Sequence, residues 1–515
     1  MRRGATRGGR SQRMLTRVTD ALAHQLPWTD LANPYPPLEP LSGDQLDAIH
    51  KASMTVLEDY GIEVLSERVR ARFRGVGARV DDLDGIVRPD RELLLELVAR
   101  APSTFSLTPR NPAHCLEVGG ADIHFGMVSG PPNVHDCVNG RRPGNFADYE
   151  RLVQLGQTFN VIHFFGNQAV APVDLPAQTR HLDTYRASLM LSDKVFSAVP
   201  IGRGRVLDAI EMVARARDLS LEELAMSPSL FGNININSPR KLDEAMSDAA
   251  LALAEHGQAV IVTPFTLMGA MTPVTLAAGL VQQNAEALFG VAMVQLFSPG
   301  APTVYGGFTS NVDMRSGAPA FGTPENAKAN LAGGQLARHY GLPYRTSGCN
   351  ASNAADAQAV YETQMSLWSA VLGNGNLVYH AAGWLEGGLV ASFEKVIIDA
   401  EILQNLTCLF SKPEVNTEEL ALDAIKAVPP GGHFFGTAHT MERYESAFYA
   451  PLLSDWKNSE SWVEAGAKDA TQRATDLWQQ AIHNFEPPPL DPGRLEAMDE
   501  YVAVSYTHLT LPTKA

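Results

Sequence analysis

Aromatic side chains stand at or directly after a series of short apolar runs in this sequence. They are Phe125, Phe164, Phe165, Phe196, Phe231, Phe265, Tyr305, Phe308, Tyr344, Tyr379 and Trp384. Ring faces carry negative charge density, so several converging rings would stabilise a cation without N–H donors, such as a quaternary ammonium group. Each ring taken alone is more often core filler or a contact with the helix layer, and we expect two to four of them to face one pocket.

Polar side chains accompany these rings, and Arg345 and His380 are the two most able to take part in binding or catalysis. Arg345 suits a substrate carboxylate, held by paired hydrogen bonds, or equally a carboxylate of the protein itself. His380 ends an apolar strand before a glycine-rich loop; it is either a buried histidine bonded to backbone or a group at the mouth of a site. Glu386 follows in that loop, where a solvated or capping role is the alternative. The predicted substrate-binding residues are His380, Arg345, Asn350, Tyr305, Phe165, Phe196, Asn233 and Glu386, and no catalytic residue is assigned.

Metal and thiol chemistry are poorly supported. The four cysteines, Cys115, Cys137, Cys349 and Cys408, form no CxxC pair and predict neither a disulfide framework nor a zinc site. Cys349 has no evident histidine partner and is expected to be unreactive. His433 and His439 lie six residues apart, and we expect them to close over the site rather than to bind a metal.

The elements that position these residues alternate between short strands and helices. Strands are predicted at 122–127, 161–166, 195–199, 229–233, 259–263, 303–306, 344–348 and 377–381, each followed by a helical stretch. Ser238, Thr272 and Thr323 each precede a proline and are predicted to begin helices. Eight such units predict a (β/α)8 TIM barrel, with an open doubly wound sheet as the alternative. In such a barrel the active site lies where the strands end.

The pattern also predicts how the chain is divided. Residues 1–41 are expected to form a flexible basic arm and linker, and 42–120 an N-terminal segment of helices and strands packed on the barrel. The barrel is expected to occupy 121–412, followed by a C-terminal helical segment over 413–503 that includes a helix at 460–485. Residues 504–515 lack periodicity and are expected to be a non-native tail.

Composition excludes several classes of partner. Asp and Glu outnumber Lys and Arg by 57 to 41, giving a net charge of -16, which argues against nucleic acid and anionic membranes. No apolar run approaches the roughly 20 residues of a membrane span, and no secretory signal follows the basic N-terminus. With these cysteines, a cytoplasmic location is expected. The sequence has no GxxxxGK[ST] loop and no strand-linked GxGxxG, and the pair Gly202 and Gly204 indicates a turn.

Several stretches, in this order and spacing, carry a family resemblance. They are HFGMVSGPPNVHDCVNGRRPGNFADYERL, MTPVTLAAGLVQQNAEALFG, TPENAKANLAGGQLARHYGLPYRTSG, DAQAVYET, NLVYHAAGWLEGGL, SFEKVIIDAEIL and GGHFFGTAHTMERYE. Over roughly residues 40 to 502 the chain resembles the trimethylamine methyltransferase family of corrinoid-dependent methyltransferases. The resemblance implies a (β/α)8 barrel whose mouth docks a separate corrinoid protein. It also implies methyl transfer from substrate nitrogen to the cob(I)alamin of that partner, with 348–353 and 380–386 facing the substrate.

One departure from the family pattern bears on the substrate. Founding members that use trimethylamine contain pyrrolysine, whereas the matching region here, 346–353, holds Cys349 and Asn350. A quaternary ammonium leaves as a neutral amine without proton transfer, whereas free trimethylamine must first become cationic. We therefore expect a permanently charged substrate such as a betaine. Because no DxHxxG-type pattern occurs, we expect no cofactor bound tightly by this chain; the cobalamin would come with the partner.

Two alternatives remain open from the sequence, a folate-dependent demethylase of a methylated amine and a catalytically silent barrel that binds quaternary amines. We also expect the chain to form a homo-oligomer. A corrinoid-dependent enzyme would need its partner and a reductant, a folate-dependent one only tetrahydrofolate, and a binding barrel would show affinity without turnover.

Overall fold

A computed structural model describes Leu22 and residues 25–510 of this chain. The predicted basic arm at 1–17 lies outside the described residues. Residues 25–41, predicted to be part of a flexible linker, pack against the barrel. Leu31 pairs in antiparallel fashion with Ile123 of the first barrel strand, and the Asn33 side chain donates to the Val371 carbonyl at 3.2 Å.

The described residues contain eight parallel strands that follow one another around a barrel in sequence order. They are β1 (Asp122–Met127), β2 (Phe164–Phe165), β3 (Val195–Phe196), β4 (Phe231–Ile234), β5 (Ala259–Val262), β6 (Thr303–Gly306), β7 (Tyr344–Ser347) and β8 (Leu377–Ala382). β8 pairs with β1, and a parallel bridge between Ser197 and Phe231 joins β3 to β4. The predicted TIM barrel is thus confirmed, and the open doubly wound sheet was the wrong alternative.

Eight helices surround the strands. They are α1 (Phe146–Thr158), α2 (Arg180–Leu191), α3 (Arg203–Arg217), α4 (Glu244–Glu255), α5 (Leu276–Phe297), α6 (Pro324–His339), α7 (Ala357–Leu372) and α8 (Phe393–Leu409), and a short helix, Leu221–Ala225, follows α3 in the described chain. Thr323 caps α6 ahead of Pro324, as predicted. The predicted starts of α4 and α5 were wrong, because Asp243 and Thr275 are the caps. The hydroxyl of Ser238 instead donates to Glu286 at 2.6 Å.

The segments before and after the barrel pack on its outer surface. Helices Gly43–Thr55 and Arg91–Val98 contact α5, with helix Glu67–Gly75 and a sheet of Ile62–Val64, Arg79–Asp81, Ile86–Arg88 and Lys241–Leu242 beside them. The predicted helix at 460–485 is two helices, Ser459–Glu464 and Ala470–His483. Helix Pro492–Thr510 packs on α2 and α3 and continues into the stretch predicted to be a non-native tail.

Side chains fill the lower interior of the barrel and form the floor of a space above them. Leu377, Phe164, Phe231 and Ile261 are among the buried residues of this inner cluster, with Tyr379 at its upper edge. A second cluster lies between the strands and the helices. Because the described residues pack this interior, the cavity of the barrel opens toward the carboxyl ends of the strands. No helix in the described part of the chain is long and apolar enough to span a membrane.

Candidate functional site

A cavity of about 260 Å³ opens at the carboxyl ends of the barrel strands. It is lined by Ser129, Gly130, Asn167, Ser197, Pro200, Ile201, Asn233, Asn235, Met246, Thr263, Phe265, Phe308, Arg345, Tyr379 and His380. This wall contains one guanidinium group and no Asp or Glu. The volume suits a small organic molecule and is far too small for a tetrapyrrole.

Arg345 of β7 supplies the charge of the cavity, and it has no carboxylate partner among residues 25–510. The residue is 2% exposed, and its guanidinium lies over the rings of Tyr379 and Phe308, at 4.4 and 5.0 Å from their centroids. Its hydrogen bond to the Gly307 carbonyl is long, at 3.4 Å, and its Nε has no partner in the described chain. Burial lowers the pKa of Arg345, yet a guanidinium stays protonated at neutral pH. The side chain therefore retains hydrogen-bond donors for an anion.

His380 lies beside this guanidinium because the backbone of β8 changes register there. Its φ of 56° is left-handed, within an irregularity in the pairing of β8 with β1. The ring packs on Trp384, with centroids 4.3 Å apart. Burial, and then the charge of Arg345, hold the pKa of His380 well below its usual value, so the imidazole is neutral at neutral pH.

Both ring nitrogens of His380 face hydrogen-bond donors. The Ser129 backbone N–H points at Nδ1 from 3.4 Å, and the Arg345 Nη2 lies 3.4 Å from Nε2. A neutral imidazole has only one acceptor nitrogen. With Nδ1 accepting from Ser129, the Nε2–H and the guanidinium N–H are two donors side by side. An anionic oxygen placed between them would accept from both.

Three of the aromatic rings singled out in the sequence line the cavity, namely Phe265, Phe308 and Tyr379. Phe265 and Phe308 lie 5.0 Å apart between centroids, directly after β5 and β6. Phe321 stacks behind Phe308 at 5.2 Å and fixes its orientation. The Tyr379 hydroxyl is buried without a partner in the described residues. The cavity thus combines ring surfaces with unsatisfied donors.

Amide and hydroxyl groups complete the wall. The Thr263 hydroxyl donates to the Asn233 side chain at 2.7 Å, and the Asn233 amide donates to Asn235 at 3.3 Å. Sequence reasoning missed Ser129, Ser197 and Thr263, although each follows the end of its strand by one or two residues. Small hydroxyl residues are too common in loops to signal a site, and only the strand geometry distinguishes them.

Of the eight predicted binding residues, Arg345, His380 and Asn233 line the cavity and five do not. Phe165 and Phe196 point at the helix layer, where Phe165 packs against Gly156 and Phe196 against Tyr185. Tyr305 also points outward and donates to Asn284 of α5 at 3.1 Å. Successive side chains on a strand alternate between the two faces, and these three occupy the outer face.

The remaining two predicted residues support or surround the mouth. Asn350 donates to the Trp384 carbonyl, and the Trp384 indole donates back to the Asn350 carbonyl at 3.0 Å. This exchange holds the loop after His380 in place. Glu386 pairs with Arg141 at 3.0 Å, outside the cavity.

A buried ion pair on α8 anchors the same loop from below. Lys395 and Asp399 form a salt bridge with both side chains fully buried, and Asp399 accepts the Gly383 backbone N–H at 2.8 Å. The Lys395 ammonium also donates to Thr363 of α7 at 2.9 Å. The position of His380 therefore depends on charges that never reach the cavity.

The other candidate groups lie away from the cavity. His433 and His439 belong to an exposed segment that follows α8 at the end of the barrel opposite the mouth, so the prediction that they close over it was wrong. Cys349 is buried, and burial raises the pKa of its thiol, in keeping with an unreactive side chain. Within the described residues no group of three or more His, Cys, Asp or Glu side chains is arranged to hold a metal ion.

Known proteins resemble this chain over nearly its whole length. The family described as "Trimethylamine methyltransferase (MTTB)" matches residues 6–509. A glycine betaine methyltransferase of Desulfitobacterium hafniense (strain Y51) is 37% identical over 467 residues, which cover 90% of this chain and 96% of the relative. A trimethylamine methyltransferase, MttB, of Desulfitobacterium hafniense (strain DSM 10664 / DCB-2) is 30% identical over 454 residues, covering 87% and 90%.

Among solved structures, the hydroxylamine complex of MtmB shares the fold. Its TM-score is 0.53 at 9% identity, and the alignment covers 97% of this chain and 93% of that one. At so low an identity the likeness extends to the architecture alone.

Proposed function

This chain belongs to the trimethylamine methyltransferase family, and from that premise we propose that it demethylates a quaternary ammonium compound carrying a carboxylate, a betaine. The methyl group would pass to the cob(I)alamin of a separate corrinoid protein. The family and the names of its relatives indicate a methyltransferase of methylated amines. The observation that supports the narrower proposal is Arg345, a buried guanidinium without an acidic partner in a cavity walled by aromatic rings.

The carboxylate would bind between Arg345 and His380. The Nη2 of Arg345 and the Nε2 of His380 lie 3.4 Å apart, and both present N–H groups to the same space when Nδ1 of the imidazole accepts from Ser129. A carboxylate oxygen there relieves the contact between two donors and satisfies a buried cation. The relative named glycine betaine methyltransferase is consistent with this assignment.

The trimethylammonium end would lie against the rings of Phe265, Phe308 and Tyr379. Ring faces attract such a cation by about 0.5 to 2 kcal/mol each. Because no Asp or Glu lines the cavity, a lone cation such as choline would feel the repulsion of Arg345 without compensation. The zwitterion is therefore the preferred substrate, since each of its charges meets a matching surface.

Among the described residues, the cavity offers a leaving amine neither a carboxyl group nor a charged imidazole as a proton donor. His380 is neutral, and no carboxyl group lines the wall. A betaine needs no proton, because breaking its N–CH₃ bond leaves the electron pair on nitrogen as a neutral tertiary amine. Trimethylamine brings no carboxylate, and its ammonium form would have to bind near the guanidinium of Arg345 without a compensating charge, so the proposed site favours the betaine.

A small cavity implies that the methyl acceptor stays outside. The cavity has room for the amine but not for a corrinoid ring, so the residues of the mouth would present the substrate methyl group outward. The partner's cob(I)alamin supplies the nucleophile. This chain would supply orientation through Arg345 and His380, and stabilisation of the cation through its rings.

Methyl transfer from individual amines to free cob(I)alamin tests the proposal directly. Purified full-length chain is incubated with cob(I)alamin and, separately, glycine betaine, carnitine, proline betaine, choline or trimethylamine, and the Co(I) absorbance is followed. We expect loss of Co(I) with at least one carboxylate-bearing quaternary amine and none with choline or trimethylamine.

The other outcomes are equally informative. Turnover of choline or trimethylamine at the rate of the betaines would contradict the role given to Arg345. Tight betaine binding without methyl transfer to cob(I)alamin or to tetrahydrofolate would indicate a binding barrel. Transfer to tetrahydrofolate alone would replace the corrinoid with a folate as the acceptor.

A further inference from the structure

A second, smaller cavity of about 140 Å³ opens beside the first at the rim of the barrel. It is lined by Gly130, Asn167, Gln168, Ala171, Ala177, Arg180, His181, Val199, Ile201 and Arg205. Gly130, Asn167 and Ile201 also line the substrate cavity, so the two spaces share a wall. The proposed methyl transfer uses none of the charged groups of this second cavity.

Positive charge is concentrated around this second cavity. Arg180 and His181 lie in the first turn of α2, and Arg205 lies in the first turn of α3. Neither helix start is capped by a side-chain hydrogen bond, and α3 begins after Gly202, whose φ of 81° favours glycine. Helix N-termini carry partial positive charge and free N–H groups, which suit an anion.

The two arginines of the cavity differ from their neighbours on the same helices. Arg203, also in the first turn of α3, pairs with Glu255 at 2.7 Å, and Arg186 of α2 pairs with Asp499. In the described part of the chain, Arg180 and Arg205 form no salt bridge, and Arg205 donates only to the Ala177 carbonyl at 3.1 Å. Two guanidinium groups are therefore available to a ligand.

His181 provides the second, independent sign of a ligand. The residue is 2% exposed, and its Nε2 lies 2.7 Å from the Asp208 carboxylate, which also accepts the Tyr501 hydroxyl at 2.7 Å. The Nδ1 is buried with no hydrogen-bond partner among the described residues. When Nε2 carries the one ring proton and donates it to Asp208, Nδ1 is an acceptor that requires a donor.

We propose that this cavity binds an oxyanion that itself carries a proton, of which hydrogen phosphate is the simplest. Its unprotonated oxygens would accept from Arg180, Arg205 and the backbone N–H groups at the start of α3, and its P–OH would donate to Nδ1 of His181. Sulfate offers the same shape and charge but has no proton at neutral pH. The acceptor nitrogen of His181 therefore makes the site selective for phosphate.

Calorimetric titration of the full-length chain tests this site. Sodium phosphate and sodium sulfate are titrated separately at pH 7.5 and matched ionic strength. Arg205→Gln and Arg180→Gln should each weaken phosphate binding by about tenfold or more, since each removes a charge-assisted hydrogen bond. Arg203→Gln is the matched control, with the same change in the same helical turn, and should alter binding less than about twofold because Glu255 already holds that side chain.

Thermal unfolding gives a second measurement that does not depend on heats of binding. At the same phosphate concentration, the Tm of the wild type and of R203Q should rise more than that of R205Q or R180Q. Equal binding of phosphate and sulfate would overturn the role of His181. Absence of saturable phosphate binding, or equal losses in R203Q and R205Q, would overturn the site itself.

Discussion

Replacing Arg345 by Met should invert the ligand preference of the substrate cavity. In the wild type the guanidinium is 2% exposed, with an unpartnered Nε, and stacks on Tyr379 and Phe308. A substrate carboxylate would take up at least one charge-assisted hydrogen bond, which contributes about 2 kcal/mol or more. Methionine has a similar length and no charge, so it packs on the same rings without leaving a buried cation.

The expected magnitude follows from these contacts. Loss of about 2 kcal/mol corresponds to about 30-fold weaker binding of glycine betaine. Choline has the same trimethylammonium group and no carboxylate, so its binding should stay the same or improve once the repelling guanidinium is gone. The ratio of the two affinities should therefore fall by about 30-fold or more.

Equilibrium binding by calorimetry checks this result without relying on turnover. Glycine betaine and choline are titrated into the wild type, R345M and R141M. Arg141 pairs with Glu386 outside the cavity, so R141M makes the same change in side chain and should leave the ratio unaltered. If R345M weakens both ligands alike, or if the wild type binds choline as well as glycine betaine, Arg345 does not recognise a carboxylate.

Three further predictions concern the rings and the buried charges. Phe308→Leu should weaken the binding of glycine betaine by about 0.5 to 2 kcal/mol but affect its isostere 3,3-dimethylbutanoate less, because the tert-butyl group of that anion carries no charge. Equal losses of binding in calorimetry would exclude a cation–π contribution. Burial raises the pKa of Glu286 to about 7, above its value in the unfolded chain. Between about pH 4.5 and 7 the folded state therefore holds a proton that the unfolded state releases, and the free energy of unfolding should fall as the pH rises through this range. In urea unfolding, the free energy of unfolding of Glu286→Gln should not decline over this pH range. A decline as large as that of the wild type would show that other groups cause the pH dependence. Asp399→Asn should lower the free energy of unfolding by about 3 to 5 kcal/mol, because Lys395 is left buried without a compensating charge. The control Glu96→Gln, in an exposed ion pair, should lower it by at most about 1 kcal/mol. Similar losses of stability in the two variants would contradict the role of the buried pair.

The sequence by itself determined the class of fold. Alternating apolar runs and capped helices are local features, and they identified all eight strands, two of them with the observed bounds, Asp122–Met127 and Thr303–Gly306. The same alternation predicted a site at the carboxyl ends of the strands, and Arg345, His380 and Asn233 line the cavity that opens there. The helix starts were harder, because the caps Asp243 and Thr275 compete with equally good hydroxyl groups a few residues earlier.

Only the tertiary structure decided which side chains of each strand face the cavity. A strand of a parallel barrel is buried on both faces, so its sequence is apolar throughout and carries no alternation from which to assign a face. Phe164 points inward and Phe165 outward, and Tyr305 joins the helix layer whereas Arg345, on the neighbouring strand, faces the cavity. The side chain of His380 faces the cavity because its backbone is left-handed there, and no local sequence pattern predicts that conformation.

The charge balance of the site was likewise a tertiary property. From the sequence, Arg345 could equally have met a carboxylate of the barrel. Among residues 25–510, no acidic side chain lines the cavity, and the guanidinium is instead surrounded by rings and by His380. The side chains next to a buried charge come from distant parts of the chain. Which of them lie close to Arg345 depends on how the eight strands are arranged in the barrel, and local sequence does not determine that arrangement.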